Sequence, residues 1–369
     1  MKRSRRALVR APLRSHQSPP GALIHRCKST RRAERKLCAG QATEFFCAGQ
    51  RSLYAAESFL GNTKIIRPPA LRQGDRIGQI APASSFNRDR FMAGCERLQQ
   101  MGYEPVYSPD IFDRDIYFAG SAERRIREFS EFWRRDDIAA VICVRGGYGS
   151  NYVMERLDLD GLAARPKALI GCSDITSMLT AIHDRTGLIT FHGPMVAKDL
   201  ANGAFDLASW NHALGGSAEW NIPVDGVEVL RTGSAQGTLY GGCLSILVAT
   251  LGTPFEIETK DTIFFIEDIA EKPYRIDRML MQLSLAGKLD RVQGFVFGEM
   301  LDCKPPAGET YTLQQVIMRV LAPYNVPIVY GLKSGHVSSG NITLPIGVQA
   351  ELVAENSEVQ LRILEPASE

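Results

Sequence analysis

Residues 138–149 read IAAVICVRGGYG, an uninterrupted apolar run that ends in a glycine-rich loop. A second run, ALIG at 168–171, ends in the same way at Cys172, Ser173 and Asp174. Continuous apolar runs of this length are typical of strands that are buried on both faces of a parallel sheet. We therefore expect two parallel strands, each followed by a loop that carries glycine or polar residues.

Helical patterns lie around the predicted strands. Residues 88–101 and 122–135 carry apolar side chains three or four positions apart, which predicts amphipathic helices. An earlier apolar run at 75–82 closes with a Pro-Ala-Ser-Ser loop, as a first strand would. This alternation predicts the α/β class, with a parallel sheet covered by helices. Active residues of such sheets gather beyond the carboxyl ends of the strands, where both loops described above fall.

The second half of the chain has a different pattern. Residues 205–231 lose the alternation and are rich in Gly, Ala, Asn and Trp, so we interpret them as a linker between domains at 68–204 and 232–369. The second domain should be mixed but rich in strands. Its strand-like runs are 262–267, 294–297, 328–330 and 359–363, and its helical patterns are 276–285 and 313–321.

Charge is distributed unevenly along the 369 residues, of which 44% are hydrophobic and 23% charged, as in globular proteins. Residues 1–64 hold 14 of the 43 Lys and Arg but 3 of the 41 Asp and Glu, so they carry +11 and the remainder −9. The acidic remainder offers no basic face for nucleic acid. We expect residues 1–67 to be a disordered basic extension, with organelle import as an open alternative.

Several classes of protein are disfavoured by the sequence. No apolar stretch reaches the roughly 18 residues that span a bilayer, and the basic extension lacks the apolar segment of a secretory signal. We expect a cytoplasmic protein without a membrane partner. The eight cysteines show no C-x-x-C pair, so neither a zinc site nor a disulfide framework is predicted. The glycine loop lacks the spacing of nucleotide-binding motifs, and no cofactor is expected.

Ser173 lies between a predicted strand and a predicted helix, which is a position used by hydrolase nucleophiles. A sharp turn would expose its hydroxyl, and the helix N-terminus would supply N–H groups to an oxyanion. The G-x-S-x-G elbow has a second glycine where this chain has Ile175. A helix N-cap at Ser173 or Asp174 stays an alternative. Cys172 is a rival nucleophile, although strand alternation turns it into the sheet.

A serine nucleophile needs a base, and His336 is the best placed histidine. It lies in the small-residue loop KSGHVSSGN at 333–341, where a side chain projects freely. His192 follows an apolar run, so it is either at a strand end near the crevice or a hydrogen-bonded structural imidazole, and we favour the structural role. Glu267 ends the apolar segment TIFFIE and would orient the imidazole. By composition, three other acids are also candidates for the orienting carboxylate, namely Asp268, Asp277 and Glu299.

Seven motifs occur in one order over about residues 68–365. They are LRQGDRIGQIAPAS, VRGGYGS, IGCSDITSMLTAI, FHGPM, GTLYGGCLSIL, FIEDIAEKPYRIDRML and SGHVSSGNITLPIG. This order resembles the L,D-carboxypeptidase family, the muramoyltetrapeptide carboxypeptidases, whose relatives include the microcin C immunity peptidases. Two features depart from the family pattern: Cys172 stands where an aromatic residue is common, and the basic extension lies outside the match.

The resemblance implies a serine carboxypeptidase with Ser173 as nucleophile, His336 as base and Glu267 as the orienting acid. It implies a Rossmann-like N-terminal domain, a strand-rich C-terminal domain, a groove between them and a homodimer, without metal or cofactor. The implied backbone donors to the oxyanion are Asp174 and either Gly147 or Gly146.

The implied substrate is a murein tetrapeptide, from which terminal D-alanine is released in peptidoglycan recycling. The free carboxylate of such a peptide needs a cation, and we select Arg145 for this role. Two alternatives remain open. One is an immunity-type peptidase that cleaves an acyl-adenylate toxin analogue with the same triad, and the other is a peptide-binding protein that does not cleave its ligand.

Overall fold

The computed structural model describes residues 64–355 and 358–369, so the predicted basic extension lies outside the described residues up to position 63. The chain joins the fold before the predicted start at residue 68. Ile66 forms a parallel bridge with Leu188, and its N–H donates to the Gly187 carbonyl at 2.9 Å. The last residues of the predicted extension are therefore part of the ordered protein.

Strands and helices alternate through the described residues. The strands are β1 (Arg76–Ile80), β2 (Glu104–Val106), β3 (Ala140–Cys143), β4 (Ala168–Gly171), β5 (Thr190–His192), β6 (Trp220–Asn221), β7 (Glu228–Arg231), β8 (Gly233–Cys243), β9 (Thr262–Glu267), β10 (Gly294–Gly298), β11 (Ile328–Leu332), β12 (Leu344–Ile346), β13 (Gln349–Glu355) and β14 (Glu358–Ile363). The α-helices are α1 (Arg88–Gln100), α2 (Ala122–Arg134), α3 (Ser150–Met154), α4 (Leu159–Ala164), α5 (Thr176–Thr186), α6 (Leu207–Leu214), α7 (Leu244–Ala249), α8 (Pro273–Leu285) and α9 (Leu313–Leu321). Short 3₁₀ helices occur at Pro109–Phe112 and Ser173–Ile175, and a π-helix at Val196–Leu200.

The first sheet has six strands in the order β12-β5-β4-β3-β1-β2. Five strands are parallel, and β12 is antiparallel to β5. The parallel part is the doubly wound arrangement that the alternating pattern predicts, so the expected α/β class is confirmed. The carboxyl ends of β3 and β4 are adjacent, which places the glycine loop beside Ser173.

The second sheet has eight strands in the order β6-β14-β13-β8-β9-β10-β11-β7. Strands β8 to β11 are parallel neighbours, and antiparallel strands extend the sheet on both sides. The expected strand-rich second half is therefore confirmed.

The segment 205–231, interpreted above as a linker, contains α6 and both edge strands of the second sheet. Strands of two and four residues are too short to produce a readable alternation, which is why the pattern concealed them. Strand β12 also crosses the predicted division, because it pairs with β5 in the first sheet. The domain boundaries themselves stay a prediction.

Contacts between α5 and β8 bring the two sheets together. The Tyr240 hydroxyl donates to Asp184 Oδ2 at 2.7 Å, and the Cys243 N–H donates to Thr176 Oγ1 at 3.1 Å. Gly242 allows this close approach, since a Cβ there would lie 2.6 Å from Thr176 Oγ1. The helix that follows Ser173 is thereby fixed against the end of β8. In the described part of the chain, no helix has the length and apolar character needed to cross a membrane.

Candidate active site

Ser173 has a left-handed backbone conformation, with φ of +62°. Cys172 separates it from β4, and the 3₁₀ turn that Ser173 begins leads into α5. A residue with a side chain pays a conformational penalty at positive φ, and such strain is often found at functional sites. A strained turn from strand to helix is also the geometry of a nucleophile elbow. The structure therefore gives Ser173 the local geometry of a nucleophile.

Glycines make room for this turn. A Cβ on Gly171 would lie 2.8 Å from Ile175 Cγ2, and a Cβ on Gly146 would lie 2.8 Å from Ser173 Cβ. The side chain of Ile175 therefore packs over Gly171. In the common G-x-S-x-G elbow motif, the position of Ile175 is a glycine. The turn therefore requires Gly171 at the end of β4 and Gly146 in the neighbouring glycine loop.

The glycine loop after β3 meets the N-terminal turn that follows Ser173. A Cβ on Gly146 would lie 3.1 Å from Ser173 Oγ and 3.2 Å from the Asp174 nitrogen. Among the described residues, no backbone carbonyl accepts a hydrogen bond from Gly146 or Gly147. N–H groups close to the serine are compatible with an oxyanion hole. The choice between Gly146 and Gly147 stays a prediction.

Two buried side chains hold this loop in place. Arg125 Nη1 donates to the Gly149 carbonyl at 2.7 Å and to the Pro82 carbonyl at 2.6 Å. The Asp174 carboxylate accepts from the Ser150 N–H at 2.9 Å. Burial raises the Asp174 pKa, and its hydrogen bonds oppose that rise only in part. The side chain of Asp174 therefore holds the glycine loop through Ser150, while the backbone nitrogen of Asp174 lies close to Gly146.

Glu267 and His336 form a buried pair. Glu267 Oε2 accepts from His336 Nδ1 at 2.8 Å and from the His336 backbone N–H at 2.9 Å. A carboxylate only accepts hydrogen bonds, so Nδ1 of His336 carries the ring proton. Nε2 of His336 is therefore free to accept a proton from another group. Burial opposes ionisation of Glu267, but the imidazoles of His336 and His192 outweigh burial and lower its pKa well below the ordinary value. The pair is arranged as a base with an orienting carboxylate.

His192 also belongs to this cluster. Its Nε2 lies 3.7 Å from Glu267 Oε1, an electrostatic contact too long for a hydrogen bond, and its Nδ1 lies 3.3 Å from Ser334 Oγ. The interpretation of His192 as structural missed this contact with the carboxylate. Its place at the end of β5, next to β4, was the available signal.

The Glu267–His336 pair adjoins the Ser173 turn through β8. Cys243 at the end of β8 is in register with Glu267, and its N–H binds Thr176 at the start of α5. The structure thus connects the Glu267–His336 pair, through the end of β8, to the start of the helix that follows Ser173.

Other acids near Glu267 have different partners. Asp268 accepts from the Ser245 N–H at 2.9 Å, and Glu299 accepts from the N–H and hydroxyl of Ser338 at 2.9 and 3.0 Å. Asp277 lies on α8. Among these four candidates in the described chain, only Glu267 is hydrogen bonded to the imidazole of His336.

Cys172 and Arg145 lie in different environments. Cys172 is completely buried, and burial raises the pKa of its thiol well above the ordinary value, which disfavours a nucleophilic thiolate. Arg145 is exposed, and its Nη1 donates to the Ser85 carbonyl at 2.7 Å. Its proposed contact with a substrate carboxylate stays a prediction.

Cys243, Glu267 and His336 have donor atoms within 4.8 Å of one another, a spacing that suits a metal ion. The chemistry of the donors fits a hydrogen-bonded pair better. Nδ1 of His336 is committed to the carboxylate, and burial raises the pKa of the Cys243 thiol well above the ordinary value. A protonated thiol is a poor metal ligand.

Comparison with protein families gives two matches, one in each half of the described chain. Residues 77–193 match the LD-carboxypeptidase N-terminal domain, and residues 236–352 match the LD-carboxypeptidase C-terminal domain. The first range contains the Ser173 turn, and the second contains both members of the buried pair.

Individual relatives align over most of their length. The chain is 36% identical over 301 residues to a probable murein peptide carboxypeptidase of Bacillus subtilis, covering 79% of this chain and 93% of the relative. The muramoyltetrapeptide carboxypeptidase of Oxalobacter formigenes superposes with a TM-score of 0.69 at 30% identity, covering 78% and 98%. The wild-type apo microcin C7 self-immunity protein MccF superposes with a TM-score of 0.75 at 26% identity, covering 82% and 100%. The matched domains and these relatives together show that the chain belongs to the LD-carboxypeptidase family of S66 peptidases.

Proposed function

We propose that this protein is a serine L,D-carboxypeptidase that releases terminal D-alanine from murein tetrapeptides. The observation that carries the proposal is the buried Glu267–His336 pair, which β8 connects to the helix that follows the left-handed turn at Ser173. A peptidase with this arrangement is expected to work through an acyl-enzyme.

In the proposed reaction, His336 Nε2 takes the proton of the Ser173 hydroxyl as its oxygen attacks the carbonyl before D-alanine. Glu267 holds the imidazole by Nδ1 and stabilises its charged form. The oxyanion accepts N–H bonds from Asp174 and from Gly147 or Gly146. His336 then gives its proton to the departing amine, and water hydrolyses the acyl-enzyme.

The substrate assignment is supported by the relatives. The Bacillus subtilis and Oxalobacter formigenes proteins are described as acting on murein peptides. The bond cleaved would join the L-centre of a diamino acid to D-alanine, and a tripeptide would remain for peptidoglycan recycling. We further propose a cytoplasmic homodimer, a state that the resemblance implies.

A second candidate is a self-immunity peptidase that cleaves an acyl-adenylate toxin analogue. The superposition on MccF favours it, because that protein shares the fold over 82% of this chain. The same triad would serve both reactions, so the two candidates differ only in the substrate that reaches Ser173.

Mass spectrometry separates these candidates. We expect the full-length protein to convert a murein tetrapeptide to the tripeptide with release of D-alanine, and to leave an aminoacyl-adenylate analogue intact under the same conditions. Turnover of the adenylate alone would move the assignment to the immunity type. A folded protein that binds the tetrapeptide without cleaving it would support the peptide-binding alternative.

The proposed mechanism requires a residue without a side chain at position 335, next to Glu267. A Cβ there would lie 2.4 Å from Glu267 Cδ, and the residue has φ of +89°. We expect Gly335→Ala to displace the carboxylate from His336 and to lower kcat/KM about 100-fold, because misplacement by about 1 Å costs that much in catalysis. Steady-state tetrapeptide hydrolysis measures the effect.

Gly340→Ala in the same loop is the matched control. Gly340 has φ of +65° but no atom within 4 Å of an added Cβ, so the change imposes backbone strain without the contact to Glu267. We expect its kcat/KM to stay within about fivefold of the wild type. Equal losses in both variants would contradict the explanation by steric displacement.

A further inference from the structure

Lys198 lies on the π-helix Val196–Leu200, which follows β5. Its Nζ donates to the Gly335 carbonyl at 3.0 Å and forms an ion pair with Asp199 Oδ1 at 3.2 Å. The side chain of Lys198 remains 30% exposed, whereas that of Asp199 is only 3% exposed. Single π turns within proteins frequently occur at functional sites. The ammonium is thus held beside the loop of residues 333–341, on a side chain that is partly exposed.

The hydrogen bond to Gly335 places the Lys198 ammonium relative to the proposed catalytic residues. Strand β4, which carries Ser173 at its end, lies between β3 and β5. The glycine loop with the proposed oxyanion donors follows β3, and the π-helix also reaches the end of β3, because the Ala197 N–H donates to the Val144 carbonyl at 3.0 Å. The hydrogen-bond partner of the Lys198 ammonium, Gly335, directly precedes His336 in the chain. The Lys198 ammonium therefore lies on the side of the loop that carries His336.

The leaving group of the proposed reaction must occupy that same side. The imidazole of His336 donates its proton to the departing amine, so the D-amino acid has to lie against the imidazole. The carboxylate carbon of an amino acid is about 2.5 Å from its nitrogen, from standard bond lengths. A carboxylate carried into the crevice is costly unless a cation pairs with it.

Lys198 has the charge and the donors for this pairing. Burial alone would lower the pKa of Lys198, but the carboxylates of Asp199 and Glu267 oppose burial, and the pKa is raised above its ordinary value. The ammonium therefore stays charged at neutral pH. It has three N–H donors, and within the described residues its close polar partners are the Gly335 carbonyl and Asp199.

Arg145, the cation selected from the sequence, has a different position. It follows β3 on the side of the oxyanion loop, and its guanidinium binds the Ser85 carbonyl. That side receives the carbonyl oxygen of the cleaved bond. The leaving group instead lies against His336, and the Lys198 ammonium binds the carbonyl of the residue that precedes His336.

We propose that Lys198 binds the α-carboxylate of the departing C-terminal amino acid and thereby confers specificity for a free C-terminus. This inference rests on the proposed carboxypeptidase function. Asp199 orients the ammonium, since the second oxygen of Asp199 is held by the Met195 N–H at 3.1 Å.

The test compares a murein tetrapeptide that has a free C-terminal carboxylate with its C-terminal amide. The kcat/KM for each is measured by mass spectrometry for the wild type, Lys198→Met, Lys198→Arg and Arg145→Met. We expect the wild type to prefer the free acid by about 100-fold, in line with the loss of a desolvated charge pair. Lys198→Met should lose this preference because its kcat/KM for the free acid falls. Its kcat/KM for the amide should change less than about threefold. Lys198→Arg should restore part of the preference.

Each other outcome overturns the inference. A preference for the acid that persists in Lys198→Met would exclude the contact, and a parallel fall for acid and amide would assign Lys198 a structural role. Loss of the preference in Arg145→Met alone would move the carboxylate to Arg145. Wild-type cleavage of the free tetrapeptide tests the proposed function separately, and its absence would remove both proposals.

Discussion

Ser173→Ala is expected to reduce kcat for tetrapeptide hydrolysis by roughly 10⁴-fold or more, since removal of a triad nucleophile abolishes the acyl-enzyme route. The oxyanion donors and substrate contacts are unchanged, so tetrapeptide binding should persist. Release of D-alanine measures activity, and equilibrium binding of the uncleaved peptide shows that the crevice is intact. A variant that retains more than about a tenth of the wild-type rate would exclude Ser173 as nucleophile.

Two further variants show whether the loss comes from the hydroxyl. Ser173→Gly removes the same hydroxyl but relieves the positive φ, so we expect equal inactivation without a fall in Tm. Cys172→Ala changes the adjacent buried thiol, and we expect kcat to stay within about tenfold of the wild type. Loss of activity in Cys172→Ala alone, together with inactivation by thiol alkylation, would establish the rival cysteine mechanism.

Glu267→Gln is expected to lower kcat/KM by about 10³- to 10⁴-fold. The carboxylate accepts from Nδ1 of His336, which leaves Nε2 free to take the serine proton. A glutamine amide can instead donate to Nδ1, and the imidazole then carries its proton on Nε2, where it cannot act as a base. The imidazolium formed during reaction also loses a charged partner. Tetrapeptide hydrolysis at neutral pH measures both effects together.

Glu299→Gln is the matched control, because Glu299 holds Ser338 in the same loop but does not contact the imidazole. We expect this variant to lose less than about tenfold in kcat/KM. Comparable losses in both variants would mean that the acid supports the loop rather than the base. Thermal unfolding of each variant separates a misfolded protein from a catalytic defect.

The sequence by itself determined the class of fold and the family. Apolar runs at 138–144 and 168–171 predicted β3 and β4, since strands buried on both faces must be apolar throughout. Helices such as α1 and α9 were readable from their periodic apolar faces. The ordered motifs identified the LD-carboxypeptidase family, which the domain matches confirm. Each strand, helix or motif is local and is encoded within a few neighbouring residues, whereas the family follows from the order of the motifs along the chain.

The tertiary structure decided which of these residues meet. Pattern left four acids open, and only the fold brings Glu267 to His336, which lies 69 positions later in the chain. The contact of His192 with Glu267 and the contact of Lys198 with Gly335 likewise depend on the order of β5, β4 and β9 in two sheets. Short edge strands in 205–231 form because the existing sheet supplies their hydrogen bonds, and their own sequence does not specify them. Long-range pairing therefore determines the site, because the distance between side chains is set by strand order rather than by spacing along the chain.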